Sequence, residues 1–212
     1  MKSGSRYLAI SAAVFFCAAA SRAQGTAQQK PSAPAAPSQE AVQAMIEAAT
    51  PGPQHAQLMK LAGEYTVDMK FFAQPGAEPE ESTGTATLKP ILGGRFLEEE
   101  NSGESFDQPY SGQRVYGYNK GSKQYEAIWI YTGSTAFLVL NGSSDDGGKT
   151  VRYSGAFLGP AGKPQELHVT FKQTDDDHFV VRLFGSGPSD SAPVVETAYT
   201  RKTAKVGGKG RE

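Results

Sequence analysis

Glu98, Glu99 and Glu100 follow Leu92-Gly93-Gly94-Arg95-Phe96-Leu97, two glycines that allow a sharp bend and then a strand-like run. In an extended chain alternate side chains share a face. Arg95, Leu97 and Glu99 therefore lie on one side, and Phe96, Glu98 and Glu100 on the other. Either register sends at least one carboxylate toward a core. A charge placed inside needs a partner or water. An inward Arg95 with Glu99, or an inward Glu98 with Glu100, would be a polar spot in an apolar interior. The alternative is a strand near a rim with every charge solvated. Alternate carboxylates on one strand face sit about 6.5–7 Å apart, a spacing compatible with acid–base work such as glycoside hydrolysis.

Aromatic residues form a second group. Trp129 shares a face with Tyr125, Ala127 and Tyr131, and Tyr116 and Tyr118 share a face of the preceding run. Such faces are a ligand wall or simply core. The candidate ligand-binding residues are thus Arg95, Glu98, Glu99, Tyr116, Tyr118 and Trp129. Arg182, opposite in parity to Phe179, is expected outside. His55, His168 and His178 show no metal-ligand spacing, and Asp175 to Asp177 read as a solvated turn. No Gly-x-Ser-x-Gly, phosphate loop or dinucleotide fingerprint is present, so neither metal nor cofactor is expected and no catalytic residue is assigned.

The elements that must position these residues follow from periodicity. Ser38 is an N-cap candidate, and Val42, Met45, Ile46 and Ala49 form one helical stripe. Thr50-Pro51-Gly52-Pro53 ends it, and a second short helix over His55 to Ala62 turns Leu58 and Leu61 inward. Two such helices plug or brace a barrel end. From Gly63 the period becomes two, beginning with Tyr65, Val67, Met69 and Phe71. About ten strands follow, with Ser102 to Pro109 read as a longer loop. Ala136 to Gly142, nearly all apolar, is expected to be covered on both faces. No crossover helix is available for a parallel sheet, and closure removes the exposed edges of a long meander. The expected fold is all-β: a single antiparallel up-and-down, lipocalin-like β-barrel of about ten strands with two short N-terminal helices. A lipid-embedded barrel is disfavoured by Lys70, Lys89, Glu126, Arg152, Glu166 and Lys172 on the outward parity.

The start of the chain reads as processing sequence. Lys2 and Arg6 precede an apolar stretch from Tyr7 to Ala20 that is too short for a membrane span, and Ser21-Arg22-Ala23 fits a cleavage site. The expected organisation is a signal peptide over 1–23, a disordered linker over 24–37, a barrel domain over 38–202 and a flexible tail over 203–212. The alternative is a retained N-terminal anchor. Loss of Lys2, Arg6 and Arg22 lowers the 21 basic residues to 18 against 22 acidic, a net charge near −4. That excludes a polyanion-binding excess, so no nucleic-acid partner is expected. Cys17, the one cysteine, leaves with the signal, so the exported domain must rest on its core without disulfides or a thiol nucleophile.

Several motifs in order carry a resemblance. They are His55-x-x-Leu58-x-x-Leu61-x-Gly63, Leu92 to Glu98, Gly117-Tyr118-Asn119, Tyr125-x-x-x-Trp129-Ile130 and Tyr199-Thr200-Arg201-Lys202. Over roughly Pro51 to Lys202 the chain resembles the bacterial domain-of-unknown-function family 1579. The resemblance implies a lipocalin-like barrel and brings no established activity. The chain departs from that pattern at Tyr65, where the family usually has Trp, and at Asn119 and Tyr131, where it often has Asp.

Three functions are expected in this order. The first is an exported, periplasmic or secreted barrel that binds a small apolar or amphipathic molecule and is not an integral membrane protein once the signal is removed. The second is a hydrolase or isomerase using the strand carboxylates. The third is an interaction module, dimeric through Ala136 to Leu140.

Overall fold

A computed structural model describes residues 36–74, 76–105, 107–159, 162–185 and 192–203. The signal segment, the linker up to residue 35 and the tail beyond Thr203 lie outside the described residues. Ten strands follow two helices: α1 Gln39–Ala49, α2 Pro53–Met59, β1 Gly63–Phe71, β2 Glu80–Ile91, β3 Phe96–Ser105, β4 Gln108–Asn119, β5 Gln124–Tyr131, β6 Leu138–Ser143, β7 Thr150–Leu158, β8 Pro164–Gln173, β9 His178–Phe184 and β10 Val195–Arg201. Each strand pairs antiparallel with its neighbours in sequence, and β1 pairs with β10 to close the barrel. The antiparallel barrel expected from the alternation is the fold observed. Closure leaves none of the ten described strands with an unpaired edge to template aggregation.

The alternation also fixes the inside. On β1 Tyr65 and Val67 are buried, on β8 Leu167, Val169 and Phe171, and on β9 Phe179 and Val181. Arg182 stands on the outer face, where its Nε meets Glu196 Oε2 at 2.6 Å. His168, also on the outer parity, lies 3.7 Å from Glu166.

One barrel end is plugged by α2. Pro53 occupies its first turn, where a missing N–H costs nothing, so the Pro-Gly-Pro segment that ends α1 also begins α2. His55 is buried and its Nδ1 accepts from the Gly52 N–H at 3.0 Å; burial lowers its pKa. Leu58 and Leu61 enter the barrel against Leu88, Tyr116, Val151 and Phe179, and only about 10 Å³ is left free among them. Arg201 seals the seam by donating to the Ala62 and Lys60 carbonyls at 2.6 and 2.9 Å.

Three expectations are corrected. The segment read as a loop from Ser102 to Pro109 is mostly strand. β3 and β4 stay paired to Ser105↔Gln108, because ladder pairing uses backbone groups: the small residues Gly103 and Ser105 keep the inner parity while Ser102 and Glu104 face out. Ala136 to Gly142 is covered on one face only: Leu138 and Leu140 are buried, while Phe137 and Val139 are 71% and 52% exposed. Third, α1 does not help brace the barrel end as expected, for none of its residues is buried. Its Ser38 cap forms, with the Ala41 N–H donating to Oγ at 3.2 Å, and Lys120 Nζ donates to the Glu47 carbonyl at 2.6 Å. Yet Met45 and Ile46 on its apolar stripe are 67% and 54% exposed. Replacing either with Gln is expected to shift unfolding stability by no more than about 0.5 kcal/mol, as read from the denaturant midpoint.

Candidate functional site

Turn residues Leu92, Gly93 and Gly94 all adopt positive φ, at 48°, 68° and 77°, a conformation that glycine takes without strain. The turn delivers β3 with Leu97, Glu99 and Asn101 pointing inward. The register then lays a row of side chains across the inner wall: Glu99 lies opposite Arg114, Arg114 opposite Trp129, and Trp129 opposite Leu138. A buried ion pair therefore follows directly from strand pairing.

Glu99 is 0% exposed. Its Oε1 accepts from Arg114 Nη1 at 2.6 Å, from Asn101 Nδ2 at 2.7 Å and from the Tyr199 hydroxyl at 2.9 Å. Its Oε2 accepts from the Tyr116 hydroxyl at 2.8 Å. Four donors converging on two oxygens match the acceptor-only inventory of an ionised carboxylate. Tyr199 reaches this cluster from β10, held by stacking on Phe179 at 4.1 Å and by an edge contact from Tyr65 at 6.2 Å. Arg114 Nη1 also donates to the Tyr199 oxygen at 2.7 Å. On its other side the guanidinium lies 4.4 Å over the Trp129 ring, a desolvated cation–π contact.

Burial opposes the Arg114 charge, but the Glu99 carboxylate and the surrounding phenols outweigh it, so its pKa stands well above the usual arginine value. Burial first, then the Glu99 charge, pushes the Tyr116 phenol well above its ordinary range. Burial raises Tyr199 strongly as well. All three side chains hold their protons and act as donors. Asn101 Oδ1 is buried with no partner among the described residues, and so is Trp129 Nε1.

Above this cluster the barrel is hollow. A cavity of about 270 Å³ opens toward the end away from α2. Its apolar walls include Leu140, Val169, Phe171, Val181 and Leu183, and its polar side carries Arg114, Tyr110, Tyr116, Trp129, Tyr131 and Thr197. Tyr116, Tyr153 and Phe171 form the floor that separates it from the packed layer against α2. Trp129 stacks on Tyr131 at 4.7 Å, which stiffens the aromatic side. A larger groove of about 540 Å³ lies outside the barrel beside Ile130, Thr132 and Phe137, without the buried polar cluster. Among the described residues no group of three or more His, Cys, Asp or Glu side chains is placed to hold a metal ion.

A model of the family described as "Protein of unknown function (DUF1579)" matches residues 50–201, the span that contains the barrel, its plug and every residue of the cluster. The chain belongs to that family. Comparison with curated proteins found no match. A solved structure of a redesigned beta barrel is similar over 71% of this chain and 96% of its own, at 12% identity and a TM-score of 0.37.

In this DUF1579 barrel the expected site residues separate into two groups. Glu99, Tyr116 and Trp129 come together at one wall. Glu98 lies on the outer face, where Lys89 Nζ meets it at 3.2 Å and Glu100 also at 3.2 Å. Arg95 is exposed in the β2–β3 turn and donates to the Leu92 carbonyl at 3.0 Å; the parity that takes Leu97 and Glu99 inward ends before it reaches the turn. Tyr118 keeps the inner parity but sits at the plugged end, 5.0 Å from Tyr125 and 6.0 Å from His55. Glu99 does have an arginine partner, and it is Arg114. Sequence reasoning missed Arg114, Asn101, Tyr110 and Tyr199. The signal for Arg114 was present: it is two residues before Tyr116, on the face already assigned to Tyr116 and Tyr118. Tyr65, at the family's usual Trp position, is buried and donates to the Leu61 carbonyl at 2.8 Å.

Proposed function

We propose that this DUF1579 protein is an exported barrel that binds a small, largely apolar molecule inside its open end. The observation that carries the reading is the contrast between the two barrel ends: about 10 Å³ free beneath the floor and about 270 Å³ above it. A largely apolar recess with a few convergent polar groups is the general form of a ligand site. The volume lies just under the usual range of about 300–1,000 Å³, which favours a small ligand. Export is supported by the N-terminal sequence alone. Among the described residues no helix is long and apolar enough to cross a membrane.

The hydrolase reading finds no support in the cavity wall. Glu98 and Glu100 face outward, and Glu99 is enclosed by its four donors and absent from the lining. A binding role needs no carboxylate there. Native mass spectrometry of the mature protein, purified from the exporting host and then extracted with organic solvent, is expected to release one lipid-like molecule per chain. Recovery of ligand-free protein that also takes up no added amphiphile would remove the reading.

A second reading rests on the outer face of β5 and β6. There Ile128 pairs with Val139 across the strands, and Ile130 and Phe137 extend the exposed apolar surface. A second copy of this chain is the occupant proposed for it. Light scattering during gel filtration is expected to show a dimer that Phe137→Ser dissociates; a strict monomer at high concentration removes this reading.

A further inference from the structure

The guanidinium of Arg114 has five N–H donors. Nη1 donates to Glu99 and to Tyr199. Nη2 and Nε make no hydrogen bond to any described residue, and Arg114 lines the cavity. Tyr110 and Tyr131 bring two phenols to the same side. The indole N–H of Trp129, next in the cross-strand row, is buried beside the Tyr110 hydroxyl, outside ordinary hydrogen-bond geometry. No Asp or Glu lines the cavity among the described residues. One side of an otherwise apolar space therefore offers hydrogen-bond donors in excess of acceptors.

The electrostatics of the same cluster limit what those donors can take. Arg114 is already neutralised by Glu99 at 2.6 Å. A carboxylate or phosphate arriving from solvent would place a second negative charge beside a single positive one in a low-dielectric interior, and an uncompensated buried charge is strongly unfavourable. A plain hydrocarbon would cover the donors and leave them unpaired, which is also costly. An uncharged acceptor avoids both penalties.

We propose that the cavity takes a molecule whose polar end is a neutral carbonyl-type acceptor, an ester, ketone or amide oxygen, carried on a short apolar chain. The carbonyl oxygen sits against the Arg114 Nη2 and Nε side, and the chain lies along Leu140, Val169, Phe171 and Leu183. At a water's share of ~30 Å³, the 270 Å³ holds roughly nine water-sized groups, so the chain is of medium length. This assignment rests on the binding reading above and specifies its ligand.

Three probes of matched length separate the possibilities: methyl octanoate, octanoate and nonane. Trp129 is the one tryptophan of the chain and lines the cavity, so its emission reports occupancy directly, with calorimetry as a second readout. At neutral pH methyl octanoate is expected to bind at least about tenfold more tightly than either of the others, a difference of one hydrogen-bonded acceptor at ~1.4 kcal/mol per tenfold. Failure of all three to bind would overturn the binding reading itself. Binding with octanoate or nonane equal to or tighter than the ester would overturn the neutral-acceptor assignment and leave the binding reading standing. The variant Glu99→Gln keeps the shape of the cluster and frees the Arg114 charge. In it octanoate is expected to gain on methyl octanoate by about tenfold or more, and an unchanged preference would contradict the assignment. Should that variant fail to fold, the wild-type order of the three probes decides alone.

Discussion

Glu99→Ala is expected to lower the unfolding free energy of the barrel by about 3–5 kcal/mol. The reason is what the substitution leaves behind. Arg114, 9% exposed, loses the carboxylate that balances its charge, and the hydroxyl of Tyr116 and the amide of Asn101 lose their acceptor. A buried charge without a counter-charge is among the few single changes with effects of this size. The expected loss is a large part of the 5–15 kcal/mol that holds a typical domain together. A paired replacement, Glu99→Leu with Arg114→Met, removes both charges and is expected to cost less than Glu99→Ala alone, since a well-packed apolar pair often substitutes for a buried ion pair. Denaturant unfolding with an unchanged m-value checks both. A loss below about 1 kcal/mol for Glu99→Ala would show that the four-donor cluster does not hold the wall together.

Raising the pH is expected to unfold the protein steeply once it passes about 10. The three phenols of Tyr116, Tyr153 and Tyr199 are buried, and in each burial pushes the pKa far above the ordinary tyrosine value of 10.0. A pKa raised in the folded state means that the stabilisation is complete below the unfolded-state value and is lost as pH climbs through that value toward the folded one. In the unfolded chain all three release protons near pH 10 and in the barrel they do not, so each contributes a slope of about 1.4 kcal/mol per pH unit. Together that is roughly 4 kcal/mol lost per unit above about pH 10. A spectrophotometric titration run beside circular dichroism tests this. The expected result is a set of phenols that ionise only as the sheet signal disappears; phenolate absorbance that develops fully while the fold persists would contradict their burial.

The strand pattern was readable because each strand has one wet face, so the period of two survives through Tyr65, Val67 and Met69 and again through Leu167, Val169 and Phe171. The polar cluster was harder to read for a physical reason. Consecutive glutamates at 98, 99 and 100 put charge on both faces of β3, so hydropathy could not say which side was inner. The deciding partner, Arg114, stands 15 residues away, and Tyr199 is 100 residues away. Only strand pairing and barrel closure bring them to Glu99. Reading 102–109 as a loop hid the first of these, since carrying β3 to Ser105 and starting β4 at Gln108 places Glu99 opposite Arg114. The apolar stripe of α1 was equally plain in the sequence, but a stripe does not say what it packs against, and among the described residues nothing buries it.

Ligand binding requires a barrel that is hollow at its open end, with Trp129 on the wall of the space. A crystal structure of the mature protein under xenon pressure tests that directly, because xenon settles in apolar cavities. The expected result is a xenon site bounded by Trp129, Leu140, Phe171 and Leu183, above the floor made by Tyr116 and Tyr153. The contradicting result is an interior with no xenon, in which those side chains close on one another and fill the space.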